Sequence, residues 1–387
     1  MHPLRPSWTA LTKLPEGYRK PGKVWKLNKA IYGLKQSPRL WFQHLTNALK
    51  DMNLSTSDDF DPCILVSKDL YCCVYVDDIL ITGKPQRVKE CINKLQSRFQ
   101  CTDSGEASLL LGMQIERTDN RIRLYQQRYI SEILTRFDMF EAKPVATPIE
   151  THSVLVPAKD GEQRCEQKYY QSVIGSLMYA SIATRPDIAH ATTFLAQFSS
   201  DPTTTHLTAA KRVLRYLKGT IDYGLSYYKN HNTPTLRVYS DASFASNLHN
   251  RVSYTGLIIQ NYGNTVIWRS KKQKSVTLST TEAEYVALCF AVQQAIWIKR
   301  GLSLMGINIT PTVYCDNTAT IKLAGNEGVS DRTKHIDVKY HYTRQMWKEK
   351  EIELMHVDTK ENVADICTKG LSKVLHDGFL VDLGMET

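Results

Sequence analysis

Leu70-Tyr71-Cys72-Cys73-Val74-Tyr75-Val76-Asp77-Asp78-Ile79-Leu80-Ile81-Thr82 is a pair of apolar runs divided by two acids. β-Branched and aromatic residues on both sides favour extended chain, so the stretch predicts a strand that turns tightly at Asp77-Asp78 into another. A third run, Cys63 to Val66, lies just ahead of it. Behind it, Val88, Ile92, Leu95 and Phe99 recur at helical spacing and predict an amphipathic helix over Gln86 to Phe99. Before it, Leu40, Trp41, Leu45, Ala48 and Leu49 do the same, with Pro38 at a helix start. The opening residues, with Pro3, Pro6, Pro15, Pro21, Gly17 and Gly22, read as an extended approach.

Working outward, the 387 residues are 42% hydrophobic and 23% charged, which excludes disorder as the main state. No run approaches the roughly 18 uncharged apolar residues of a membrane span. Met1 to Leu11 lacks the basic head and apolar centre of a signal peptide, so an intracellular chain with no membrane partner is expected. Nine scattered cysteines, none in a Cys-x-x-Cys or Cys/His ligand spacing, favour neither a disulfide framework nor a zinc site. The formal charge is +10, and residues 236–387 hold 18 Lys/Arg against 16 Asp/Glu, so most of the surplus lies earlier. A basic field attracts polyanions, nucleic acid being the commonest, although solvated surface lysines give the same arithmetic.

Three stretches differ in texture: 1–105, 106–234 and 235–387. In the second, strands are expected over Leu109 to Glu116 and Arg121 to Tyr125, then a helix from Gln127 to Phe137. Residues 143–163, with Pro144, Pro148 and Pro157, read as an exposed linker. Helices follow over Tyr169 to Ile182, Pro186 to Phe198 and Thr205 to Lys218. The last carries Lys211, Arg212, Arg215 and Lys218 on one face, which can meet phosphates or simply be solvated. The third stretch reads strand (Leu236 to Tyr239), strand (Ser253 to Gln260), strand (Thr265 to Ser270), helix (Thr281 to Leu304), strand (Thr312 to Cys315), two helical segments, strand (Glu351 to Val357) and a final helix around Asn362 to Lys369. That order is an α/β domain with a mixed sheet.

Four acids of the third stretch stand at places where function concentrates. Asp241 and Asp316 each end a short apolar strand, Glu284 sits in the first turn of the long helix, and Asp365 begins the last one. Carboxylates at strand ends of an α/β sheet point toward the crevice where ligands bind. Four together repel unless divalent cations neutralise them, and two cations held by carboxylates suit phosphodiester hydrolysis. Each acid alone is more simply a cap or a surface charge; their joint placement favours metal.

Ordered motifs run through the whole chain. Lys26-Leu27-Asn28-Lys29-Ala30-Ile31-Tyr32-Gly33-Leu34-Lys35-Gln36-Ser37-Pro38-Arg39 and Tyr75-Val76-Asp77-Asp78 lie in the first stretch. Gly175-Ser176-Leu177-Met178-Tyr179-Ala180, Thr184-Arg185-Pro186-Asp187-Ile188 and Ala210-Lys211-Arg212-Val213-Leu214-Arg215-Tyr216-Leu217-Lys218-Gly219-Thr220 lie in the second. Ser279-Thr280-Thr281-Glu282-Ala283-Glu284-Tyr285, Cys315-Asp316-Asn317, Arg332-Thr333-Lys334-His335-Ile336-Asp337 and Val363-Ala364-Asp365-Ile366-Cys367-Thr368-Lys369 lie in the third. In these motifs the chain resembles the Pol polyprotein of copia-type LTR retrotransposons.

The resemblance implies an α/β and α+β protein: a truncated reverse transcriptase palm, a helical thumb or connection segment, and a C-terminal ribonuclease H-like mixed-sheet domain. It implies that Asp77 and Asp78 are the polymerase aspartate pair. It also implies that Asp241, Glu284, Asp316 and Asp365 are the catalytic and metal-holding acids of a ribonuclease H, using two Mg²⁺ for which Mn²⁺ can substitute. Glu282 competes with Glu284, but the two point about 200° apart on a helix and Ala283-Glu284-Tyr285-Val286-Ala287-Leu288 fits the family pattern. His356 is the histidine nearest the last aspartate and reads as a packed strand residue. Lys334 and His335 suit contact with a duplex backbone, a capping segment being the equal alternative. The third polymerase carboxylate belongs to a segment upstream of the first motif, so polymerase activity is expected to be lost. The implied partners are RNA/DNA hybrid and other nucleic acid, and a complete reverse transcriptase subunit. The implied location is cytoplasmic, in a virus-like particle, or nuclear. Two other readings stand beside this one: a non-catalytic nucleic-acid-binding remnant, and a structural partner of a complete enzyme.

Overall fold

Residues 10–12, 16–18, 20–57, 60–151, 153–229, 235–246, 251–325 and 337–387 are described by the computed structural model. They form two units, Met1–Glu106 with Arg300–Ile307, and Ala107–Lys299 with Asn308–Thr387. Helices and antiparallel sheets occur in both, and the second also holds a mixed sheet, so the chain is an α/β and α+β protein.

In the first unit, β1 (Ala10–Thr12) pairs antiparallel with β2 (Trp25–Leu27). Helix α1 (Ser37–Lys50) has Pro38 in its first turn, where a missing N–H costs nothing, and buries Leu45, Ala48 and Leu49. Strands β3 (Ile64–Ser67), β4 (Leu70–Tyr75) and β5 (Asp78–Gly83) make an antiparallel sheet in that order, followed by α2 (Pro85–Arg98). One face of the sheet packs on both helices through Leu45, Leu49, Leu65, Leu70, Val74, Cys91 and Leu95.

The second unit begins with β6 (Leu109–Leu110), β7 (Met113–Arg117) and β8 (Arg121–Tyr125). The single strand expected over Leu109 to Glu116 is broken, because Leu111 and Gly112 both take positive φ (49° and 75°) and close a two-residue hairpin. Helices α3 (Gln127–Arg136), α4 (Gln167–Ala183), α5 (Ala189–Ala196) and α6 (Thr204–Gly219) pack around Ile133, Tyr170, Leu177, Leu195 and Leu214. A 3-10 turn, Pro186–Ile188, replaces the start of the helix expected from Pro186. The linker is not uniformly exposed: Thr147, Pro148 and Ile149 are buried, Ile149 within that same core.

Strand β9 (Gly224–Tyr228), which the sequence pattern did not reveal, pairs with β8. Then come β10 (Leu236–Ser243), β11 (Tyr254–Asn261), β12 (Asn264–Lys272), α7 (Thr280–Leu304), β13 (Thr312–Cys315), α8 (Thr318–Gly325), α9 (Asp337–Lys348) and β14 (Glu353–His356). The expected last helix around 362–369 is a 3-10 turn, Val363–Cys367; the chain's final helix is α10 (Lys373–Asp382), and β15 (Met385–Glu386) ends it. The five-stranded sheet β12-β11-β10-β13-β14 is antiparallel across its first three strands and parallel across its last three. A second sheet, β15-β9-β8-β7-β6, takes its edge strand from the C-terminus of the chain. Trp268 of β12 donates its indole N–H to the Ser181 carbonyl of α4 at 2.6 Å, another bond between residues 107–229 and 235–387.

Candidate active site

Strands β10 and β13 run parallel with Ser240 opposite Cys315, so Asp241 and Asp316, the next residue of each, leave the paired register side by side. At the start of α7, Ser279 Oγ accepts from the Glu282 N–H at 3.2 Å while Glu282 Oε2 accepts from the Leu278 N–H at 2.7 Å. Such reciprocal bonding closes a helix N-terminus. Glu282 is thereby engaged with its own helix end, and Glu284, on the other side of the axis, faces Asp241 and Asp316.

Asp365 arrives on the 3-10 turn. Asn362 caps that turn, accepting from the Ala364 N–H at 3.3 Å, and donates to the Ser240 carbonyl at 3.0 Å, tying the turn to β10. Gly256 of β11, paired with Asp241, makes room for it: a Cβ there would lie 2.6 Å from the Ala364 carbonyl oxygen and 2.6 Å from Thr368 Cγ2. Thr368 Oγ1 donates to Asp241 Oδ2, and Lys369 Nζ lies 2.8 Å from Asp365 Oδ2.

Carboxylate oxygens of Asp241, Asp316 and Asp365 all lie within 4.8 Å of one another, and Glu284 joins Asp316 and Cys315 within the same limit. Asp241, Glu284 and Asp365 are buried and Asp316 half-buried. Burial, then the charges of Asp241 and Asp316, push Glu284 up to about 9. Burial and the Asp241 charge push Asp365 up to about 8 against the pull of Lys369. Asp316 is raised, chiefly by burial. The Cys315 thiol is raised further, again by burial, which keeps it protonated and a poor ligand for a hard cation.

Two atoms test whether this set fits a divalent cation. Glu284 Oε2 and Asp365 Oδ1 are buried without a hydrogen-bond partner, an expensive state for a carboxylate oxygen unless a cation faces it. Four carboxylates offering hard oxygens, two of them unpartnered, fit a hard divalent cation in kind. His356 stands outside the acid set, its Nε2 3.2 Å from the Asp316 carbonyl oxygen.

In the first unit, Val76 and Asp77 form the two-residue turn between β4 and β5, with Tyr75 paired to Asp78. Val76 has φ +53°, a costly setting for a β-branched residue, and its carbonyl accepts the Trp41 indole N–H at 2.7 Å. Both aspartates are exposed, and the Tyr32 hydroxyl donates to Asp77 Oδ2 at 3.1 Å.

The basic face of α6 is largely turned to the connector. Arg212 bonds Glu150 at 2.9 Å and Thr147 at 3.2 Å, Arg215 donates to the Lys143 carbonyl at 2.7 Å, and Lys218 sits 4.0 Å over the Phe140 ring. Lys211 is half-buried. Lys334 and His335 lie outside the described residues. Sequence reasoning gave no role to Thr368, Lys369, Asn362 or Gly256; the adjacency of Thr368-Lys369 to Asp365 was the available signal.

The five-stranded order, with Asp241 and Asp316 just past the last pair of its parallel strands β10 and β13, defines a ribonuclease H-like fold; β10 itself runs on to Ser243, beyond the end expected at Asp241. Residues 9–151 match the family of reverse transcriptase (RNA-dependent DNA polymerase). The chain is 40% identical over 373 residues to the retrovirus-related Pol polyprotein from transposon TNT 1-94 of Nicotiana tabacum, covering 92% of this chain and 28% of that one. It is 32% identical over 295 residues to a putative transposon Ty5-1 protein of Saccharomyces cerevisiae, covering 73% of this chain and 94% of that one. A solved foamy viral protease-reverse transcriptase in complex with RNA/DNA hybrid is similar at 15% identity and TM-score 0.48, over 87% of this chain and 39% of that one. The chain belongs to the copia-type retrotransposon Pol family, and spans about a quarter of the length of its Pol polyprotein relatives. Among the described residues no helix is long and apolar enough to cross a membrane.

Proposed function

We propose that residues 235–387 hydrolyse the RNA strand of RNA/DNA hybrids, with Asp241, Glu284, Asp316 and Asp365 holding two Mg²⁺. The observation that carries this is the convergence of the four carboxylates, with Glu284 Oε2 and Asp365 Oδ1 left without partners. Divalent cations held there supply the charge that makes a water more acidic and steadies a leaving oxygen. The chain's own part is orientation: Thr368 fixes Asp241, Asn362 fixes the turn that carries Asp365, and Gly256 lets that turn lie on the sheet. Recognition rests on duplex shape and the 2′-hydroxyl, with no sequence readout.

The test is cleavage of a labelled RNA/DNA hybrid in Mg²⁺, beside Asp316→Asn and a chelated control. Cleavage lost in both controls is the expected result. A folded protein that binds the hybrid without cutting it would instead make the chain a non-catalytic nucleic-acid-binding remnant.

We infer further that these 387 residues do not extend a primer. Asp77 and Asp78 are exposed on their hairpin, and among the described residues no third metal-ligating side chain gathers with them. Primer extension on an RNA template, abolished by Asp77→Asn, would overturn this.

A further inference from the structure

Among the described residues Lys369 is the cation paired with the acid cluster, and the reaction as proposed gives it nothing to do. Its Nζ lies 2.8 Å from Asp365 Oδ2, on a carboxylate whose other oxygen is buried and unpartnered. The positive charge is also felt by Glu284 and Asp316, and Lys369 in turn feels Asp241 and Asp316 besides Asp365. The two partners differ in access: the Lys369 side chain is 41% exposed and that of Asp365 2%. The acid is fixed by its turn, whereas the ammonium stands at the solvent side on a flexible four-carbon stem.

We propose that Lys369 is a resident counter-cation that competes with divalent cations for Asp365 and so sets the metal concentration at which the site fills. The inference rests on reading the acid cluster as a divalent-cation site. With no metal bound, the ammonium offsets part of the repulsion among the carboxylates. A divalent cation on Asp365 repels it, and the exposed stem lets it swing away without moving the backbone. Its neighbour Thr368 stays on Asp241, so one half of the Thr-Lys pair holds an acid in place while the other half gives way. A lysine suits this better than an arginine, whose planar fork would grip the carboxylate through two bonds.

The experiment measures Mn²⁺ binding to the full chain by loss of the free-ion paramagnetic signal, for wild type, Lys369→Met and Lys373→Met. Lys373 is an exposed cation at the start of α10 and controls for the general loss of one charge. Removal of the competitor should tighten Mn²⁺ binding by about 5- to 150-fold, the range of ordinary site-to-site coupling. It should also lower the melting temperature of the metal-free protein and enlarge the rise that Mn²⁺ produces. Lys373→Met should bind like wild type. Equal or weaker binding by Lys369→Met, equal tightening by both variants, or no binding by any of them would overturn the proposal. Because the readout is binding, tighter Mn²⁺ without hybrid cleavage would sink the nuclease reading alone. Cleavage with unchanged Mn²⁺ affinity would sink this inference alone.

Discussion

Arg185 closes on Asp187 with Nη2 2.6 Å from Oδ2, and solvent reaches neither side chain. The pair has further partners: Arg185 donates to the Thr220 carbonyl at 2.9 Å, and Tyr216 donates its hydroxyl to Asp187 at 2.7 Å. Burial alone would neutralise Asp187, yet the guanidinium and the phenol hold its carboxyl below the usual range. The pair therefore joins the end of α4 to the end of α6. Arg185→Met leaves a buried charge unmatched and is expected to cost about 3–5 kcal/mol. Replacing both, as Arg185→Met with Asp187→Leu, should cost much less. Urea midpoints of the three proteins check this, and equal losses for single and double variants would contradict it.

His190 gives the second unit an acid limit. Its ring is buried beside Phe194 and Tyr254, Nδ1 has no partner, and burial depresses its pKa from 6.5 to about 4. A histidine held neutral by the fold contributes stability above its unfolded pKa, and that stability is lost as pH falls from about 6.5 toward 4. At 1.36 kcal/mol per unit the full loss is about 3 kcal/mol. Burial lowers His206 and His376 in the same direction. Urea midpoints should therefore fall between pH 7 and pH 5, and less steeply in His190→Leu. Parallel pH curves for the two proteins would show that the ring does not carry this share.

The elements that were legible from sequence carry their information locally. The hairpin around Asp77-Asp78 and the helix of Val88, Ile92 and Leu95 follow from apolar period alone, as do β10 and β13, whose shared pairing stops just before Asp241 and Asp316, and β11. What escaped depends on distant partners. Strand β9 is a short Gly-Leu-Ser-Tyr-Tyr run whose pairing comes from β8 and from the last residues of the chain. The turn bearing Asp365 looked helical because Val363 to Cys367 has no breaker, and only its contact with Gly256 shows why it stays compact. The connector's prolines predicted exposure, but Ile149 finds a core and Arg212 and Arg215 of α6 bond the residues beside it. The sequence offers those arginines as phosphate contacts or as a solvated face; in the fold they bond the connector.

Glu282 and Glu284 should separate stability from chemistry. Glu282 accepts the Leu278 N–H at 2.7 Å at the start of α7, so Glu282→Ala removes a helix-capping partner, and a loss of about 1 kcal/mol is expected with cleavage retained. Glu284 sits among the acids with an unpartnered oxygen. Glu284→Gln keeps the shape of a carboxyl that burial and its neighbours already push up to about 9, so the metal-free protein should keep its stability while hybrid cleavage is lost. Melting curves run beside the cleavage assay decide the matter. Cleavage lost in Glu282→Ala and kept in Glu284→Gln would reverse the assignment.

Gly256 supplies a test that touches no acid. A methyl group at this position would meet the Ala364 carbonyl oxygen and Thr368 Cγ2, both at 2.6 Å, so the 3-10 turn must lift from β11 to accept it. That turn carries Asp365, and Thr368 at its end bonds Asp241, so a small displacement spoils two of the four carboxylate positions at once. Overpacking of this kind costs about 1–3 kcal/mol, which a domain survives. A shift near 1 Å at a catalytic group can cost about a hundredfold in rate. Gly256→Ala is therefore expected to remain folded, with a modestly lower melting temperature, weakened Mn²⁺ binding and hybrid cleavage reduced by about two orders of magnitude. Full cleavage in a variant whose melting point has fallen would show that the turn can move without carrying Asp365 out of place.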